Sequence, residues 1–291
     1  MRIRYQIVVL CVTLLAMQQT AAQSHEGHQH HQPLPKTWSS QPLLVKPQGR
    51  GSRTVKSLKP VNLSANRMRV FPSTEPGEGG ASWEVPLEGD KAKIASRDSK
   101  QGGYHWVSAR AESGNSVRIA STVTYFSNPG PAPRAMLKQN KSELEIRPMR
   151  LPREHQRYRA DETWPFQLLY QGEPVTDTEV TFESRNGSRF IYSTDASGQF
   201  EVEFPSDFPE VNTETKGNGG HRHGRRKSDF VLAAQLEQGE RHLLSAFNYH
   251  YTPGAYADKN LSLGIGMAVL GMFAAGPLLR NKKKDKKGEQ S

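Results

Sequence analysis

Gln171-Gly172-Glu173-Pro174-Val175-Thr176-Asp177-Thr178-Glu179-Val180, followed by Thr194-Asp195-Ala196-Ser197-Gly198-Gln199-Phe200, is the stretch that decides the fold. Pro174 suits a turn between two strands. Asp195 and Gly198 suit a tight turn through side-chain capping and a permissive backbone, and Phe200 opens a run whose alternate residues enter a core. Neighbouring runs obey the same rule: Glu179-Val180-Thr181-Phe182-Glu183 and Phe200-Glu201-Val202-Glu203-Phe204 alternate polar and apolar residues, as half-buried antiparallel strands do.

Working outward, Leu144-Glu145-Ile146, Phe166-Gln167-Leu168-Leu169-Tyr170, Phe190-Ile191-Tyr192 and Phe230-Val231-Leu232-Ala233-Ala234 are further short β-prone runs bounded by turn residues. Upstream lie Met68-Arg69-Val70-Phe71, Ser82-Trp83-Glu84-Val85, Tyr104-His105-Trp106-Val107 and Ser116-Val117-Arg118-Ile119. Between the two groups, Ser127-Asn128-Pro129-Gly130-Pro131-Ala132-Pro133 opposes regular pairing. The pattern therefore predicts an all-β protein of two tandem, Ig-like β-sandwich domains over 61–130 and 131–256, the second carrying a basic His/Gly loop at 213–228.

The termini imply export and tethering. Arg2 and Arg4, the uncharged stretch Ile7 to Met17 and Thr20-Ala21-Ala22 read as a signal peptide over 1–22. Residues 23–60, rich in Gln, Pro, Ser and His, read as a flexible arm. Leu261 to Leu279 carries no charge and matches the ~30 Å hydrocarbon core at about 1.5 Å per residue, predicting one transmembrane helix over 259–280. The basic tail 281–291, directly behind Arg280, places that end in the cytoplasm and the main body outside it.

Charge and cysteine usage narrow the function. Of the formal +10, two charges belong to the leader and a net four to the segment from Arg280 onward, leaving +4 for the exported body, too little to imply nucleic-acid binding. Cys11 is the single cysteine and falls in the leader, so no disulfide-linked partner and no thiolate metal site are expected. No nucleophile elbow, zinc-protease helix or phosphate loop is present, and adjacent Asp161 and Glu162 point apart in extended chain, so no enzyme is expected.

Histidines carry the chemistry that remains. Ser24-His25-Glu26-Gly27-His28-Gln29-His30-His31-Gln32 gathers four imidazoles and a carboxylate, donors suited to Ni, Co, Cu or Zn; a solvated low-complexity tract is the plainer reading. His221 and His223 extend the candidate ligand set, although Arg222, Arg225, Arg226 and Lys227 beside them disfavour a dication. His105 sits between Tyr104 and Trp106, so strand geometry turns it away from those aromatics; if they are core, it is exposed and available to a metal. His250, beside Tyr249 and Tyr251, reads as packing near the membrane entry.

The quoted 171–200 grammar resembles that of small transthyretin-like, or carboxypeptidase-regulatory-like, sandwiches. With the leader, the Tyr104-His105-Trp106 strand, the entry Leu144-Glu145-Ile146-Arg147-Pro148 and the C-terminal anchor, the chain resembles the periplasmic family associated with nickel and cobalt uptake, from the first β body through Tyr251. That resemblance makes the outer compartment a periplasm and implies a membrane-tethered accessory protein binding a divalent transition metal beside an inner-membrane transport or envelope partner. The alternative is a non-enzymatic β-sandwich interaction module of the envelope.

Overall fold

The computed structural model describes residues 37–47, 52, 54–73, 82–96, 103–127, 132–152, 157–209 and 226–254. In chain order the strands are β1 Leu43–Val45, β2 Val55–Val61, β3 Arg67–Pro72, β4 Trp83–Pro86, β5 Ala92–Ala95, β6 Gly103–Ser113 and β7 Ser116–Phe126. A short helix α1, Arg134–Lys138, leads to β8 Leu144–Pro148, β9 Tyr158–Arg159, β10 Thr163–Tyr170, β11 Glu173–Pro174 and β12 Glu179–Ser184. The chain closes with β13 Arg189–Ser193, β14 Gln199–Glu203, β15 Ser228–Gln238 and β16 Arg241–Thr252. The all-β expectation holds.

A long central sheet runs β13-β12-β15-β16-β7-β6-β3-β4, with β9 added beside β16. Its pairings are antiparallel except where β16 meets β7 and β9 in parallel. Two small sheets cover it, and the register assigns each to a face. Trp106, paired with Val123, joins Ile119, Phe247, Phe230 and Phe182 in one apolar cluster with Phe166, Leu168 and Val202 of the β8-β10-β11-β14 sheet. The next residue along, Val107, belongs with Ala109, Ala120 and Val70 to a second cluster, completed by Leu44, Leu58, Ala92 and Ile94 of the β1-β2-β5 sheet. Side chains of successive strand residues point to opposite faces, so β6 and β7 feed two cores at once.

This arrangement corrects the tandem-domain expectation. Strands from either side of residue 130 lie in one sheet, joined along His242↔Ser116 to Phe247↔Ser121. Proline and glycine mark where pairing stops and are silent on whether the chain re-enters the same sheet.

The boundary of the flexible arm also moves. Leu43, Leu44 and Leu58 are buried inside 23–60, and β1 and β2 pair from Leu43↔Val61 to Val45↔Lys59. A three-residue apolar run is too short to show a period, which is why β1 is invisible as a pattern. The side chain of Asn248 supplies what β1 lacks: Leu44 N donates to Asn248 Oδ1 at 2.9 Å and Asn248 Nδ2 donates to Leu44 O at 3.0 Å.

At the deciding stretch the turn chemistry holds in part. Asp195 Oδ1 accepts from the backbone N–H of Ser197 and Gln199 at 2.8 and 2.9 Å, and Gly198 adopts φ 69° with the Leu168 carbonyl 2.8 Å from where a Cβ would stand. The hairpin β10–β11, however, turns on Gln171 and Gly172, at φ 50° and 93°, before Pro174 is reached. Positive φ at both loop residues is the twist-matched way to close a two-residue hairpin.

Candidate functional site

Of the seven sequence-predicted ligands, His25, His28, His30, His31, His221 and His223 lie outside the described residues. His105 is described, and its expected exposure is overturned: it is 0 % exposed. Tyr104 and Trp106 are indeed core, but β6 is covered on both faces, so the residue between them is buried too. Its ring packs edge-on against Trp83 and Phe126, at centroid distances of 5.9 and 4.7 Å. Neither ring nitrogen has a hydrogen-bond partner among the described residues. Burial pushes its pKa down to about 4, leaving a buried imidazole that is neutral at pH 7.

The other described histidines are also poor ligands. His250 is partly buried against Tyr249, ring centroids 4.2 Å apart, and its pKa is pushed down to about 3 by burial and then by Lys46, Lys227 and Arg157. Those cations would repel a dication as they repel a proton. His242 is exposed and meets Glu237 at 3.4 Å. Among the described residues, no three His, Cys, Asp or Glu side chains gather as a metal site.

Two polar clusters inside the body are fully occupied by structure. Lys141 and Glu145 form a buried ion pair, Nζ to Oε1 2.7 Å; Glu145 Oε2 accepts the Lys141 backbone N–H at 2.9 Å, and Lys141 Nζ also donates to Gln139 O at 2.6 Å. The ammonium stands over the Trp106 ring, 4.8 Å from its centroid. The pair fixes the passage from α1 into β8, and breaking it by removing one partner would strand a buried charge. Asp207 accepts from Ser184 Oγ, Ser188 Oγ, Asn186 Nδ2 and Tyr251 OH at 2.5, 2.8, 3.1 and 2.5 Å. Burial opposes its ionisation, but these hydrogen bonds outweigh it and hold the carboxyl below the usual range. A carboxylate so saturated has little capacity left for an ion.

What the fold does leave open is a pocket of about 360 Å³ lined by Arg150, Arg157, Arg159, Glu162, Thr163 and Trp164. Tyr158 is fully buried in the aromatic core, stacked on Phe204 at 5.0 Å, so alternation sends Arg157 and Arg159 together to the opposite side. The turn after β9 carries Asp161 at φ 65° and returns the chain through Glu162 into β10. Trp164 forms a wall: its Nε1 donates to Glu162 Oε2 at 3.1 Å, and the Arg150 guanidinium lies 4.7 Å from its ring centroid. Among the described residues, none of the three arginines has a carboxylate within ion-pair distance. The sequence reading missed this site; the alternation Arg157-Tyr158-Arg159 points to it only once Tyr158 is known to be core, and Arg150 joins through the tertiary fold.

A family model described as a domain of unknown function, DUF4198, matches residues 20–207, more than half of the chain. The chain belongs to the DUF4198 family. This DUF4198 protein has β15 and β16, which complete the central sheet, beyond the matched segment. No curated protein matches it. Among solved structures it is similar to a tetra-tandem repeat in the extending region of a large adhesion protein, at 12 % identity over 72 % of this chain and 49 % of that one, TM-score 0.21. The chain thus spans about half of that structure's length. A two-domain fibronectin type-III segment of chicken tenascin gives 12 % identity over 72 % and 98 %, TM-score 0.20, and titin domains z1z2 in complex with telethonin 12 % over 69 % and 87 %, TM-score 0.19.

Proposed function

We propose that this protein is a non-enzymatic accessory protein of the cell envelope that binds a divalent transition metal through His25, His28, His30 and His31 and presents it to an inner-membrane transport or envelope partner. The observation that carries the reading is the density of imidazole in Ser24 to Gln32, which precedes in sequence the compact unit beginning at Ser39. There the chain is pinned, Ser39 Oγ donating to Glu183 Oε2 at 2.6 Å and Asn62 Nδ2 to Ser39 O at 2.8 Å. Neutral imidazole serves Ni, Co, Cu and Zn alike, so the metal is chosen by geometry and supply. The resemblance to the nickel- and cobalt-uptake family favours the first two.

Tethering belongs to the same proposal. Leu261 to Leu279 would be a single span with the basic tail inside and the β body in the periplasm; the segment lies outside the described residues, among which no helix is long and apolar enough to cross a membrane. Titration calorimetry of Ni, Co, Cu and Zn into the full chain in neutral detergent tests the metal reading. Sub-micromolar binding should vanish on deleting Ser24 to Gln32 and survive His105→Phe. Binding that outlasts the deletion would place the site elsewhere.

A second reading, the envelope interaction module, is favoured by β13. This strand ends the central sheet and leaves Phe190 and Ile191 42 % and 63 % exposed. Sheet-edge pairing needs little more than such an edge. Under this reading Ile191→Lys would release a partner, while the arm deletion would not.

A further inference from the structure

We propose that the pocket formed by Arg150, Arg157 and Arg159 binds a phosphate ester, and that its source is the glycerol-bearing headgroup of an anionic membrane phospholipid. Guanidinium groups present paired donors that match phosphate oxygens, and here three of them converge without a carboxylate partner among the described residues. Glu162 reduces the lining to a net two positive charges, enough for a phosphodiester or a free phosphate. The polar side chains beside the cations decide between these. Glu162 has one oxygen engaged by Trp164 Nε1, and its second oxygen and the exposed Thr163 hydroxyl are suited to the hydroxyls of a glycerol group. Trp164, with Arg150 on its ring, gives the site a rigid back.

Position names the source. Arg159 pairs with Thr252, the last residue of β16, and the Ala160 N–H donates to Thr252 O at 2.8 Å. The apolar stretch begins at Leu261. A trans chain extends at most about 3.5 Å per residue, so the pocket lies within roughly 30 Å of the start of that stretch. The lipid source rests on reading Leu261 to Leu279 as a span; the phosphate chemistry does not.

The test measures binding of inorganic phosphate and of dihexanoyl phosphatidylglycerol, kept below its micellar concentration, to the full chain in neutral detergent. Arg157→Gln/Arg159→Gln is compared with Arg67→Gln, a remote exposed arginine paired with Glu84. The expected result is phosphatidylglycerol binding at least tenfold tighter than inorganic phosphate, both lost tenfold or more in the double variant and unchanged in Arg67→Gln, with the unfolding temperature preserved. Equal affinity for the two ligands, still dependent on the arginines, would overturn the lipid source. Binding of neither ligand, or binding indifferent to the substitutions, would overturn the site. Membrane fractionation of the full chain reads the span separately, so its failure is distinguishable.

Discussion

At the scale of one residue, His105 is the plainest case of a side chain whose meaning is set by what covers it. Alternation along β6 places it opposite Tyr104 and Trp106, as strand geometry requires, but whether that opposite face meets water depends on β1-β2-β5, which lies elsewhere in the chain. Its folded pKa of about 4 is below the ordinary value of about 6.5. Between those pH values the unfolded chain takes up a proton that the folded one refuses, so stability is lost as pH falls from about 6.5 to about 4 and is fully present above that window. The expected loss from this residue is about 3 kcal/mol. His105→Phe should remove that share from the slope of unfolding free energy against pH, measured by denaturant titration. His250 titrates in the same direction and is common to both proteins, so the difference isolates His105; an unchanged slope would mean that the ring is not desolvated.

At the scale of elements, strands that alternate or contain several β-branched and aromatic residues were legible: Met68 to Phe71 and Glu179 to Glu183 are strands where the pattern puts them, and of the run Phe200 to Phe204 all but Phe204 lies in β14. β1 was not, because three apolar residues are too few to show a period and the Leu44 backbone is completed by a side chain 204 positions away. Asn248 also uses its own carbonyl, which accepts Thr122 Oγ1 at 2.7 Å, and so ties β1, β7 and β16 at one point. Asn248→Leu keeps the volume but leaves the buried Leu44 N–H and C=O without partners, at about 1–3 kcal/mol for each group. The expected outcome is a lower unfolding midpoint together with faster hydrogen exchange at the Leu44 amide, while exchange in β8 and β10, on the other face, stays slow. Uniform acceleration across both faces would show that the clamp supports the whole sheet instead. None of the candidate arginine site was read from the sequence: the alternation of Arg157 and Arg159 is local but means something only once Tyr158 is seen to be core, and Arg150 and Trp164 reach them through the path of the chain after β8.

At the scale of the whole molecule, the central sheet makes the two halves of the chain mechanically one. Trp106 and Val107 are neighbours in sequence yet belong to different apolar clusters, as do Ile119 and Ala120. Loss of either covering sheet therefore exposes strands on which the other depends, and unfolding is predicted to be a single cooperative transition. Leu58→Ala, in the layer on one face, and Val180→Ala, beneath the layer on the other, are the informative pair because both side chains are fully buried and no part of the proposed metal or phosphate sites. Truncating a buried leucine to alanine costs about 2–5 kcal/mol, and the valine somewhat less. Calorimetry of each variant should show one heat-absorption peak displaced to lower temperature as a whole. Two resolved peaks, with Leu58→Ala moving only one of them, would mean that each half folds around its own core and that the parallel β7–β16 seam is a contact between domains, which is the arrangement the proline-rich segment at 127–133 suggests when the sequence is read alone.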